Sequence, residues 1–266
     1  MYINLGIIGN PLQHTFSPFI HNYFLYESKM CGGYTCYETS LEQLDDLIDM
    51  FVKYNFIGIN VTVPYKQEVI KYCTELDITA KEIGAVNTLH FTKNGIIGHN
   101  TDIFGFHMML ESNGINTQNK RVLLLGAGGA SRAVIPYMRL NTPLSFIIAN
   151  RTVEKAEELA YLYNGDAEVC SLNDLKGETF DIVINSTSLG VKGEPFIDYG
   201  FNIKEAAIDM IYKPKVTSFL SMYSKNNIKL VNGLSMLIYQ AAGSFNIWTG
   251  KDIVPNMEYF ENIVYK

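Results

Sequence analysis

Several groups of residues in this 266-residue chain have types and spacing suited to chemistry. One is the apolar run Val122-Leu123-Leu124-Leu125, which breaks into Gly126-Ala127-Gly128-Gly129-Ala130-Ser131. A strand that turns through glycines into a helix brings backbone N–H groups up to a pyrophosphate at the helix N-terminus. Gly126 permits the tight turn and Gly128 the close approach of phosphate, while Ser131 occupies the third small position. Three further segments concentrate polar groups. The first runs from Gly9 to Pro18 and carries Asn10, His14, Thr15 and Ser17. The second is Asn60-Val61-Thr62-Val63-Pro64-Tyr65-Lys66. The third is Gly84-Ala85-Val86-Asn87-Thr88, followed by Asn100-Thr101-Asp102. Each places hydroxyls, amides or charges at the end of an apolar strand, where ligands of open α/β sheets bind.

The glycines alone fit an ordinary strand-to-helix turn equally well. The next strand decides between the readings. It ends in Ile148-Ala149-Asn150-Arg151-Thr152. A dinucleotide site for NAD places Asp or Glu about 20 residues beyond the glycines, to bind the ribose 2′-hydroxyl. Here Asn150 and Arg151 stand instead, and Lys155 follows one turn into the next helix. A guanidinium binds a 2′-phosphate bidentately, whereas a carboxylate repels it. Thr152 can cap the helix and offer its hydroxyl. Basic residues at a helix N-terminus oppose the macrodipole unless an anion sits between them. These residues therefore indicate NADP(H) rather than NAD. The nucleotide-site residues are Gly126, Ala127, Gly128, Gly129, Ala130, Asn150, Arg151, Thr152 and Lys155.

The elements that must carry these residues alternate between strand and helix. Residues 3–8 read as a buried strand, and Ser17-Pro18 as a helix start with Ser17 as N-cap. Residues 34–38 and 56–61 read as strands, and Leu41, Leu44, Leu47, Ile48 and Phe51 share one helical face. Residues 88–91 and 95–98 form a hairpin around Asn94-Gly95. An amphipathic helix over 103–113 then ends at Gly114. The second half is expected to place strands at 121–125, 145–149, 181–184, 206–209 and 228–231. Helices are expected at 129–140, 153–163 and 216–226, before the long apolar segment 234–248. This rhythm predicts an α/β fold in two domains. Residues 1–101 and 236–266 would form one domain, and residues 102–235 the other.

The bulk numbers agree with a globular chain. Hydrophobic residues make up 47% and charged residues 18%, which excludes a disordered chain. A net charge of −6 gives no electrostatic footprint for nucleic acid or an anionic membrane. No apolar run approaches the ~18–20 residues of a membrane span. The N-terminus lacks the basic segment of a signal peptide. The cysteines, Cys31, Cys36, Cys73 and Cys170, lack metal-site spacing and read as free buried thiols of a cytoplasmic protein. The histidines likewise show no ligand spacing, and no metal is expected.

Taken in order, Asn-Val-Thr-Val-Pro-Tyr-Lys, Gly-Ala-Val-Asn-Thr, Asn-Thr-Asp, Gly-Ala-Gly-Gly-Ala-Ser, Asn-Arg-Thr and the late Gln240-Ala241-Ala242 resemble the NADP-dependent shikimate dehydrogenases. The resemblance covers nearly the whole chain. It implies an N-terminal α/β substrate domain followed by a Rossmann-like NADP-binding domain with a parallel sheet. It also implies reversible NADPH-dependent reduction of 3-dehydroshikimate to shikimate, a step of aromatic amino-acid and chorismate biosynthesis. The family's catalytic lysine falls on Lys66 and its partner aspartate on Asp102. A lysine ammonium can stabilise a growing alkoxide and donate its proton. By the same resemblance, Thr15 and Ser17 hold the substrate carboxylate. Thr62, Lys66, Asn87, Asp102 and Gln240 hold the ring hydroxyls, Tyr212 lies near substrate and nicotinamide, and Gly233 contacts the nicotinamide end. Thr15 departs from the family's usual Ser-x-Ser, and Ser235 from a glycine.

A quinate/shikimate dehydrogenase with relaxed substrate and cofactor use stays open as an alternative, since Thr15 bears on substrate choice. A non-catalytic NADPH-binding regulator on the same fold, or another oxidoreductase such as a methylenetetrahydrofolate dehydrogenase, fits less of the sequence. The former has no need of both Lys66 and Asp102, and the latter none of the Thr15/Ser17 hydroxyls. The expected partners are the small-molecule substrate and the cofactor, with the protein a monomer or homodimer.

Overall fold

A computed structural model describes residues 2–266. The chain divides into two compact units, one of residues 1–104 and 238–255, the other of residues 105–237 and 256–266.

The first unit is built on a mixed sheet. Its strands are β1 (Ile3–Gly9), β2 (Gly32–Glu38), β3 (Gly58–Val61), β4 (Glu75–Leu76), β5 (Thr88–Thr92) and β6 (Gly95–His99), in the spatial order β2-β1-β3-β5-β6-β4. β1 runs parallel to β2 and β3, whereas β5 is antiparallel to β3 and β6. The predicted hairpin is present, with Asn94-Gly95 at its turn and Gly95 at φ +121°. Helices α1 (Ser17–Glu27), α2 (Leu44–Lys53) and α3 (Ile78–Ile83) complete the alternation. The expected apolar face of α2 buries Leu44, Ile48 and Phe51 against Ile8, Ile59 and Val61. Leu41 belongs instead to a preceding 3₁₀ turn and is exposed. A 3₁₀ turn rotates each residue by 120° rather than 100°, so a helical count drifts off the face.

The chain leaves the first unit within α4 (Asp102–Ser112) and returns within α8 (Leu234–Thr249). The second unit holds β7 (Arg121–Leu125), α5 (Val134–Asn141), β8 (Ser145–Asn150), α6 (Val153–Leu162), β9 (Glu168–Ser171) and β10 (Thr179–Asn185). β11 (Asn202–Asp209), α7 (Ser218–Met222), β12 (Lys229–Asn232) and α9 (Met257–Val264) follow. All strand pairs are parallel, in the order β12-β11-β10-β7-β8-β9. Numbered within the unit this is 6-5-4-1-2-3, the doubly wound dinucleotide-binding order, with its switch point between β7 and β10. The unbroken apolar run of β7 has a simple cause. Val122 and Leu124 face one core and Leu123 and Leu125 the other, because a central parallel strand is covered on both sides.

Several elements differ from expectation. The helix predicted over 129–140 begins as a 3₁₀ turn at Ala130–Ala133, with Pro136 in the first turn of α5, where its missing N–H costs nothing. The helix predicted over 216–226 shrinks to α7, whose N-cap Thr217 accepts from the Leu220 N–H at 3.2 Å. Ser17 is the first helical residue of α1 and Phe16 the N-cap, with Pro18 in the first turn. Residues 256–266, expected with the first unit, cluster with the second. Tyr265 is the reason: its hydroxyl donates to the Tyr212 carbonyl at 2.8 Å and accepts from Asn232, while Glu261 pairs with Lys215 at 3.0 Å. The cysteines are free, but Cys31 and Cys36 are exposed rather than buried. Among the described residues no helix is long and apolar enough to cross a membrane.

Candidate functional site

In the first unit, the polar segments converge at the ends of β1, β3 and β5 and the start of α4. Thr62 follows β3, and its N–H continues the β1 ladder by donating to the Ile8 carbonyl at 2.9 Å. Lys66 stands one turn further on, with its carbonyl accepting from the Val86 N–H at 2.7 Å. That bond anchors the lysine backbone beside Asn87. The Lys66 ammonium donates to Asp102 Oδ2 at 2.5 Å, and both side chains are largely but not wholly buried. Asp102 opens α4, where a carboxylate is favoured by the helix dipole. Its other oxygen accepts from Asn87 Nδ2 at 2.9 Å. Asn87 Nδ2 also lies 3.5 Å from Gln240 Oε1 on α8. The structure therefore brings Lys66, Asp102, Asn87 and Gln240 together.

Thr15 and Ser17 form a second cluster. Their hydroxyls are 3.2 Å apart, and Thr15 Oγ1 accepts from the Ser17 N–H at 3.3 Å. This bond satisfies one N–H of the first turn of α1, a capping task expected of Ser17 that Thr15 performs. Two adjacent hydroxyls can donate to one carboxylate.

The second unit carries the glycine turn at the C-terminal end of β7, at the switch point. Gly126 has φ +98°, and a Cβ there would meet Ser186 Oγ at 2.9 Å, so only glycine serves. A Cβ at Gly128 or Gly129 would meet nothing within 4 Å, which leaves room for a phosphate against the backbone. Ser131 does more than pack. Its buried hydroxyl accepts from the Gly128 N–H at 2.9 Å and lies 2.7 Å from Ser186 Oγ, tying the turn to the end of β10. Ala127 lies half-buried within the turn, and Ala130 is exposed at the start of the 3₁₀ turn.

Asn150 ends β8 and donates through Nδ2 to the Thr152 carbonyl at 2.8 Å, folding the segment back into α6. Thr152 is the N-cap of α6, but its side chain makes no cap bond. Arg151 and Lys155 are both exposed at this helix start. The open glycine turn and the basic helix start fit a dinucleotide with a 2′-phosphate. Tyr212 is half-buried, and burial pushes its phenol above the usual range. Gly233 is explained by packing: a Cβ there would lie 2.0 Å from the Met210 carbonyl oxygen.

Two supporting groups were not singled out from the sequence. Ser244 lies one helical turn beyond Gln240 on α8, a spacing that puts both on one face. Asp209, at the end of β11, is fully buried. Its donors are all neutral: Asn185 Nδ2 at 3.0 Å, the Ile211 N–H at 3.1 Å and Thr217 Oγ1 at 2.5 Å. Burial raises its pKa from 3.8 to about 6, with the hydrogen bonds opposing. The folded state therefore binds a proton more tightly than the unfolded one, and stability falls as pH rises between these values. In Asp209→Asn that dependence is absent. The unfolding free energy of wild type relative to the variant, from urea titrations, should fall from pH 4 to pH 7 by an amount on the order of 2–3 kcal/mol. A constant difference would show that Asp209 does not titrate in this range.

Comparison with known proteins gives one answer. The family model of the shikimate dehydrogenase substrate-binding domain matches residues 7–89, that of shikimate/quinate 5-dehydrogenase residues 109–192, and that of the shikimate 5′-dehydrogenase C-terminal domain residues 233–253. Shikimate dehydrogenase (NADP⁺) of Methanococcus aeolicus is 38% identical, covering 98% of this chain and 96% of its own. The resemblance extends to solved structures. A chorismate mutase/shikimate 5-dehydrogenase fusion protein from Clostridium acetobutylicum superposes with a TM-score of 0.89 at 37% identity, covering 99% of this chain and 97% of that one. Shikimate 5-dehydrogenase of Thermus thermophilus, solved with NADP(H) and shikimate, gives 0.84 at 30% identity over 98% of each chain. Sheet order, glycine turn, lysine–aspartate pair and these relatives together show that the chain belongs to the shikimate dehydrogenase family.

Proposed function

We propose that this protein catalyses the reversible, NADP(H)-dependent reduction of 3-dehydroshikimate to shikimate. The observation that carries the reading is the Lys66–Asp102 pair, held at 2.5 Å and braced by Asn87. NADPH, when bound, supplies the hydride, and the glycine turn at 126–130 with Asn150, Arg151, Thr152 and Lys155 would hold it, Gly233 lying near the nicotinamide end.

Reduction of a ring ketone puts negative charge on its oxygen. The Lys66 Nζ bears protons that can stabilise this oxygen and then move to it. Asp102 accepts from the ammonium with one oxygen and from the Asn87 amide with the other, so it orients Lys66 and can accept from a substrate hydroxyl. Thr62, Asn87 and Gln240 supply neutral donors and acceptors for the remaining ring hydroxyls. The paired hydroxyls of Thr15 and Ser17 take the substrate carboxylate, and the family resemblance gives Tyr212 a role near substrate and nicotinamide. The first unit, with Asp102 at its end and Gln240 on α8, thus serves the substrate, and the second unit, with the glycine turn, the cofactor. The enzyme acts in the cytoplasm as a monomer or homodimer.

The methyl of Thr15 bears on the quinate alternative. A spectrophotometric panel crossing shikimate and quinate with NADP⁺ and NAD⁺ tests the assignment. The highest kcat/KM is expected for shikimate with NADP⁺. Equal values for quinate would favour the relaxed-substrate reading.

A further inference from the structure

Behind the Lys66–Asp102 pair lies a run of buried polar groups whose donors point one way. Two fixed ends set the direction. Asp102, paired with an ammonium, accepts, so the Asn87 atom beside its Oδ1 must be the amide nitrogen, at 2.9 Å. The Thr101 N–H can only donate, so the atom it meets at 2.8 Å must be Asn87 Oδ1. Both ends of the Asn87 amide are thus assigned without choice. Thr88 Oγ1 lies 2.7 Å from that same oxygen and donates to it.

The far end is equally constrained. The Tyr34 phenol is fully enclosed, and burial lifts its pKa well above the usual range, so it keeps its proton. It donates to Asn60 Oδ1 at 2.7 Å. Asn60 Nδ2 therefore faces inward and donates to Ser244 Oγ at 2.9 Å, with Thr88 Oγ1 and the Asn87 carbonyl each at 3.2 Å. Ser244 Oγ has one proton and three acceptors: Thr88 Oγ1 at 2.8 Å, Thr101 Oγ1 at 3.0 Å and the Gln240 carbonyl at 3.1 Å. The shortest continues the direction. His21 stacks on Tyr34 at 4.2 Å and is fully buried, with its pKa lowered by burial to about 3. It brings no charge to this end.

We propose that Ser244 and Tyr34 are positioning residues for Lys66 and Asp102: a one-way hydrogen-bond chain from Tyr34 through Asn60, Ser244 and Thr88 locks the Asn87 amide so that it donates to Asp102. The chain draws its parts from β2, β3, β5 and α8, and so converts packing of the sheet into orientation of one carboxylate. Every link orients the next, and the convergence of donors favours the anion. The inference rests on the assignment of Lys66 and Asp102 to the chemistry.

The test uses Ser244→Ala and Tyr34→Phe, each of which deletes one hydroxyl and little else. Each should lower kcat for shikimate oxidation by about 3- to 10-fold, the size of one neutral hydrogen bond, with KM for NADP⁺ unchanged. In an Asn87→Ala background the same substitutions should cost less than about twofold further, because the link they act through is gone. A merely structural role gives losses that multiply unchanged. A readout independent of turnover is the Asn87 side-chain amide resonance in ¹⁵N NMR, which should move in both Ser244→Ala and Tyr34→Phe, because the chain ends on that amide. An unmoved Asn87 amide, or kcat within twofold of wild type in both variants, overturns the proposal. A wild type that turns over no shikimate overturns the functional assignment instead, and the Asn87 amide still decides the chain.

Discussion

Replacing Lys66 by alanine should lower kcat for shikimate oxidation by about 10²–10⁴-fold, the range of a positioned general acid or base. KM should change little, because an interaction made mainly with the developing alkoxide is lost from the transition state rather than from the ground state. The geometry accounts for the size of the effect. Lys66 is held by its backbone to Val86 and by its ammonium to Asp102, so no neighbouring lysine takes its place. Removing it also leaves the largely buried Asp102 without its cation. Steady-state kinetics in both directions, with thermal unfolding to establish that the variant is folded, give the result. Turnover within a few-fold of wild type would remove Lys66 from the chemistry.

Arg151→Asp should raise KM for NADP⁺ by about 10²-fold while changing KM for NAD⁺ by only a few-fold. A charge-assisted hydrogen bond contributes about 1.5–3 kcal/mol, and about 1.4 kcal/mol is tenfold in affinity. The substitution removes that bond and places a carboxylate where the 2′-phosphate would sit. Arg151 is exposed at the end of β8, so its loss leaves the core untouched. Lys155 on the same helix start retains part of the affinity. Equal effects on the two cofactors would refute the 2′-phosphate reading.

Much of this was legible in the sequence because local rules agreed with the fold. β7 and its glycine turn read directly, since a central parallel strand has no polar face and Gly126 needs a left-handed backbone. The edge strand β9 did not: Glu168–Ser171 is short, half-exposed and carries no apolar run. α3 and α9 are short helices signalled mainly by Asp77 and Asn256, whose caps are easily read as loop residues. The nucleotide residues came from motif and spacing and the substrate residues from the family resemblance, but their bracing came from neither. Ser244, Asn60 and Tyr34 are far apart in the chain, and only tertiary pairing reveals that they meet. The exposure of Cys36 goes with β2 being the edge of its sheet, and Cys31 lies in the loop just before it, facts of topology that composition does not carry.

Hydride from NADPH and a proton from Lys66 should both reach one ring ketone. The most direct measurement mixes purified protein with 3-dehydroshikimate and NADPH, follows loss of the nicotinamide absorbance band and identifies the product by NMR. Stoichiometric conversion to shikimate is expected, slowed by about 10²–10⁴-fold in Lys66→Ala. Absorbance that stays constant in the wild-type protein, or is lost without shikimate appearing, would contradict it.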